Sequence, residues 1–64
     1  MFGIKVVDST THKTIATTTH HTMDRMMRDV WVMRRKYTGA IVEEYYCDPN
    51  KEDSKPVTTF RTFR

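Results

Sequence analysis

Sixty-four residues carrying eleven basic and eight acidic side chains, a formal charge of +3, allow one domain spanning 1–64. A fold of this size buries only about 60% of the surface its unfolded chain exposes. A lone cysteine, Cys47, excludes an intramolecular disulfide, which leaves good packing or a partner to supply the stability that staples give other small folds.

The chain opens with "FGIKVV", in which Phe2, Ile4 and Val6 share one face, Gly3, Lys5 and Val7 share the other, and β-branched residues dominate. This pattern predicts a strand. "DSTTHK" supplies turn formers and "TIATTTH" a threonine-rich run suited to an exposed sheet face, so residues 2–20 are expected to form a hairpin.

Thr22 then stands as an N-cap, Asp24 places a carboxylate at the positive end of the helix dipole, and Gly39 marks a stop, predicting a helix over 23–38. At about 100° per residue, Met23, Met26, Met27, Val30, Met33 and Tyr37 fall on one side with Trp31 at its edge, and this side is expected to pack on the sheet. Four methionines in this stretch also suit an adaptable binding face, but their spacing over a sheet favours core filling. Trp31 has two uses at such a boundary, closing a small core or anchoring an interface.

"AIVEEYYC" and "VTTFRTFR" predict strands over 40–47 and 57–63, joined by the charged loop 48–56, whose composition offers nothing to bury. The order is ββαββ, an α+β fold with one amphipathic helix on a small, mainly antiparallel sheet. Neither late strand alternates cleanly, which predicts a bulge, a frayed end or an edge position there. The brief echo "TFRTFR" is no architectural repeat.

The helix side away from the methionines carries Arg25, Arg28, Arg35 and Lys36 around Val32, with Asp24 and Asp29 on its flanks. One account is a contact surface in which Val32 enters a shallow apolar site and planar guanidiniums pair with carboxylates or phosphates. The plainer account is a solvated helix side: Arg34, Arg35 and Lys36 complement the C-terminal dipole, and Asp24 pairs with Arg28 at i+4. Arg34 points toward the methionine side, where its stem can lie along the core margin. With Trp31, the residues Arg25, Arg28, Val32, Arg35 and Lys36 are the candidate partner-binding set.

Catalytic and metal signatures are lacking. His12, His20, His21 and Cys47 show no metal-ligand spacing, and His20 and His21 point to opposite sides of a continuing strand. "YYCDP" gives Cys47 only an aspartate, the wrong charge for generating a thiolate. Glu43 and Glu44 face opposite ways on a strand and make no acid/base pair. With two glycines in all there is no phosphate-binding glycine loop. The chain is expected to be no enzyme and to need no cofactor or metal.

Tyr45, Tyr46, Phe60 and Phe63, with Arg61 and Arg64, form an alternative nucleic-acid-binding set, because aromatics on a basic sheet stack bases and hold phosphates. The charge excess is mild for that role, and some of these rings are needed in the core.

No run approaches the ~18 apolar residues of a spanning helix. "MFGIKVVDS" lacks the basic start and apolar middle of a secretion signal. One free thiol and five methionines fit a reducing compartment. A soluble, cytoplasmic protein without membrane association is expected.

Over residues 2 to 49, the strand pair, the helix opening on "TMD", the tryptophan within that helix, the glycine stop and the following strand ending in a cysteine form a pattern. It resembles the short phage accessory proteins typified by the bacteriophage T7 inhibitor of bacterial RNA polymerase. This helix carries arginines where that inhibitor is rich in acidic residues, and no functional residue is carried over. The resemblance implies a class: small proteins, acting in the host cytoplasm if phage-encoded, that occupy a surface of a larger host protein or complex. The residues lead independently to the same expectation, a non-catalytic protein-binding modulator inhibiting by steric occlusion through the helix face or a strand edge. A small basic nucleic-acid-binding protein is the alternative, and a homodimer that buries unpaired edges is compatible with either.

Overall fold

The computed structural model describes residues 1–62. It contains β1 (Phe2–Asp8), β2 (Thr14–His20), α1 (Met23–Lys36), β3 (Ala40–Tyr45) and β4 (Thr58–Arg61). The strands form one sheet in the order β2-β1-β3-β4 with every neighbouring pair antiparallel, giving an α+β fold of order ββαββ. β1 takes an inner place because it is apolar on both sides: Gly3, Ile4, Val6 and Val7 are all buried. α1 carries the chain from β2 across to β3, which lies on the other side of β1.

Register follows from the period of two. Val6 pairs with Ala16 and Val42, Ile4 with Thr18 and Glu44, and Val42 with Phe60, which places all of these on one face. Met26 and Val30 descend onto that face and close a core with Ile4, Val6, Ala40 and Val42, with Phe2, Ala16, Met33, Tyr37 and Phe60 packed at its margins. The bulge that the sequence suggested for the late strands lies instead between β1 and β2, where the register shifts at Val6/Val7. β4 does occupy an edge.

Each end of α1 has a local cause. The Thr22 side chain accepts a hydrogen bond from the Arg25 N–H at 3.2 Å, satisfying a donor that the first turn leaves open. The helix stops at Lys36, two residues short of the expected Thr38, because Tyr37 has left helical geometry (φ −114°, ψ 67°) and Gly39 takes φ 83°, a conformation glycine adopts without a Cβ clash. Thr62 fastens this exit. Its hydroxyl accepts from the Ala40 N–H at 3.0 Å and has two carbonyls within donating reach, Tyr37 at 2.9 Å and Ala40 at 2.8 Å.

The β1–β2 turn is held by Asp8, whose Oδ1 accepts from the N–H groups of Thr10 and Thr11 at 2.8 and 2.9 Å. These bonds, that from Thr11 foremost, hold the carboxyl below its usual range. His12 adopts φ 61° to complete the turn.

Three expectations need correction. β3 ends at Tyr45 and not at residue 47; β4 covers 58–61, and the expected final residue of that strand, Phe63, lies outside the described residues. The 48–56 loop does bury something. Pro49 is among the most enclosed side chains of the protein, lying over Gly3 so closely that a Cβ there would collide with the proline ring. Finally, the methionine side is only partly interior. Met26 and Val30 are buried, but Met23, Met27 and Trp31 are 39%, 52% and 60% exposed. The reason is placement: α1 lies over β1, β3 and β2, so its flank toward β4 meets only that short edge strand, through Phe60, and stays largely open.

Candidate functional site

The outer residues of α1 are where helical spacing puts them. Arg25, Arg28, Val32, Arg35 and Lys36 are all exposed. Arg28 meets Asp24 at 3.3 Å, but both side chains are about four-fifths exposed, and a pair so solvated contributes little. Lys36 lies with its ammonium 5.5 Å from the ring centroid of its neighbour Tyr37. These cations surround Val32, itself 56% exposed.

The two flanks of the helix differ. On the β2 side, Asp29 flanks the basic face, as its spacing predicts, and is engaged by the neighbouring strand. Its Oδ2 lies 2.9 Å from His20 Nε2 and accepts the Thr18 hydroxyl at 3.3 Å. The three groups are half-buried and tie the helix to the edge strand.

On the β4 side the Arg34 guanidinium sits between two rings, 4.8 Å from the Trp31 centroid and 4.8 Å from the Phe60 centroid. Trp31 and Arg34 stand three apart on the helix and so share a face, while Phe60 rises from β4 beneath them. Stacking of this kind is attractive through the ring quadrupole, and it fixes the guanidinium plane while leaving its N–H edge available. Two concavities adjoin the stack. One, about 140 Å³, is bounded by Met27, Val30, Trp31, Arg34 and Phe60 with Glu44 at its base. The other, about 320 Å³, is lined by Trp31, Arg34, Arg35, Arg61 and Thr62. No acidic side chain among the described residues pairs with Arg34, Arg35 or Arg61.

Glu44 is 8% exposed and has no ion-pair or hydrogen-bond partner for its carboxylate among the described residues. Removal from water raises its carboxyl above the usual range. Its position was readable in advance, since it alternates with Val42 on the helix side of β3. Its burial was not, because that depends on α1 and β4 being brought against β3.

The described members of the alternative aromatic set do not share one platform. Tyr45 is 3% exposed on the face away from the helix, where its hydroxyl donates to Glu43 Oε1 at 3.0 Å. Burial first, then Glu43, pushes the phenol up to about 12. The Lys5 ammonium lies 5.5 Å from the same ring. Phe60 is on the opposite face under Arg34. Tyr46 is exposed and meets Phe2 edge-on at 5.7 Å. Phe63 and Arg64 lie outside the described residues.

Cys47 Sγ donates to the Ser54 hydroxyl at 3.4 Å, which in turn bonds the Asp48 carbonyl, so the thiol helps to close its own loop. Among the described residues no group of three His, Cys, Asp or Glu side chains is placed to hold a metal ion, and no helix is long and apolar enough to cross a membrane. Comparison of the chain with protein-family models, with curated proteins and with solved structures gives no match.

Proposed function

We propose that this protein is a non-catalytic binding module that modulates, as an inhibitor, a larger protein partner by covering part of its surface. The observation that supports this most directly is Trp31. It is 60% exposed on α1 and braced from one side by Arg34. Exposed aromatic and arginine anchors of this kind dominate the energetics of protein interfaces, and Met27 and Val32 widen the apolar area on either side.

The test is capture of partners from nuclease-treated host extract by the wild-type chain, by Trp31→Ala and by the double variant Arg28→Ser/Arg35→Ser. A protein retained by wild type and lost from both variants, each still folded by circular dichroism, fits the proposal. Equal retention by all three would reject the helix as the contact surface.

The second reading, a nucleic-acid binder, is favoured by the contiguity of Arg34, Arg35 and Arg61 around one concavity. Phosphate contacts release counterions, so affinity for DNA or RNA would fall steeply between low and moderate salt. An interface centred on Trp31 would be far less sensitive. Titration at two salt concentrations separates the readings.

A further inference from the structure

The groove between α1 and β4 has a chemistry that specifies its occupant. Its inner cleft has walls of Met27, Trp31 and Phe60 and is of side-chain size. Its outer concavity is lined by Arg34 and Arg35 of α1 and by Arg61 and Thr62 at the β4 edge, and none of the three arginines is paired with an acid among the described residues. Like charges on residues that border one concavity repel, and that cost is relieved when an anion enters. At the floor of the inner cleft stands the buried Glu44 carboxyl, which repels an anion that goes too deep.

We propose that this groove receives an acidic, apolar segment of a protein partner: one aliphatic or aromatic side chain enters the cleft between Met27, Trp31 and Phe60, and neighbouring carboxylates pair with Arg34, Arg35 and Arg61. The inference rests on the protein-binding reading above and adds the chemistry of the partner. Glu44 sets the direction, because a carboxylate is accepted at the outer arginines and refused at the inner floor, so the apolar side chain must be the one that inserts. The Trp31–Arg34–Phe60 stack supplies order in advance. A guanidinium held between two rings has little conformational freedom left to lose when it takes a carboxylate. The same stack argues against bases, since Arg34 already covers one face of both rings that would have to stack them.

The experiment is a titration of the isotopically labelled full chain by nuclear magnetic resonance, following the Trp31 indole N–H and the Nε–H signals of Arg34, Arg35 and Arg61. Three probes are used: an alternating leucine–glutamate peptide, the same peptide with serine for leucine, and a single-stranded oligonucleotide of equal charge. The expected result is saturable shifting of all four signals by the leucine–glutamate peptide, at least fivefold weaker binding of the serine peptide, and at least a fivefold loss in Arg35→Ser and in Arg61→Ser. Lys13→Ser, in the exposed β1–β2 turn at the opposite edge of the sheet, should bind as wild type does. Absence of saturable shifts with the leucine–glutamate peptide, or equal binding of the serine peptide, overturns the inference while leaving a captured protein partner and the broader function intact. Tightest binding by the oligonucleotide overturns both.

Discussion

The two flanks of α1 are built from the same helix over the same sheet, yet they end differently. Toward β2, Asp29 meets His20 and Thr18, so each polar group finds a partner inside the protein. Toward β4, Met27, Trp31 and Arg34 overhang a strand of only four residues, and the aromatic and guanidinium groups there find one another and little else. A flank whose polar groups are satisfied internally serves stability. A flank that leaves large apolar surface exposed and cations without acids has surface to offer a second molecule. On the function proposed above, the difference gives the two flanks two different jobs, although their residues lie within one or two helical turns of each other.

The most severe way to break the comparison is to remove the stripe from which both flanks hang. Met26→Ala should cost ~2–5 kcal/mol, as large-to-small changes at fully buried positions do, and Val30→Asp should unfold the chain outright by burying a charge. Thermal melts followed by circular dichroism decide both, and a stable Val30→Asp protein would mean that the helix is rotated from the orientation described. Gly3→Ala attacks the other side of the sheet. Its new Cβ collides with Pro49, so the 46–57 loop should be displaced at a cost of ~1–3 kcal/mol, read as faster proteolysis within that loop.

The sharpest comparison sets Asp29→Ala beside Trp31→Ala. The first strands half-buried partners on β2 and should cost ~1–2 kcal/mol with partner capture unchanged once the protein is folded. The second should change stability by less, because the ring is largely exposed, and should abolish capture. Reversed outcomes would exchange the jobs of the two flanks.

Glu44 gives a finer test. Its folded-state carboxyl titrates above the unfolded one, so the native state holds the proton more tightly. The penalty of ionising it in place is absent at low pH. It sets in as pH rises past the ordinary carboxylate range and is complete above the raised value. Glu44→Gln should therefore be more stable than wild type at neutral pH by a few degrees of melting temperature, with the gap closing in acid. The smallest effect belongs to the solvated pair on the outer side. Asp24→Ser, which frees Arg28, should leave the melting temperature nearly unchanged and lose its slight effect in high salt.

Much of the architecture was legible from residues alone. The alternation of Phe2, Ile4 and Val6, the Thr22 cap, the Gly39 stop and the helical spacing of Met26 and Val30 are local signals, because backbone sterics and the period of burial act over a few residues at a time. They determined the element order and the buried stripe of α1, and simple i+4 geometry determined the Asp24–Arg28 pair. What only the tertiary structure decided concerns residues whose fate depends on elements distant in the chain. Met27 and Trp31 lie on the apolar side by spacing, and they are exposed because α1 covers β1, β3 and β2 while β4 sits beyond its edge. Pro49, in a charged loop that looked wholly solvated, is buried because the chain folds back over Gly3. Asp29 and His20, read separately as a flank charge and a turn histidine, meet because β2 and α1 are brought side by side. Local sterics fix the elements, but how widely one element covers another is set by the closure of the whole sheet, and the groove between α1 and β4 exists only at that level.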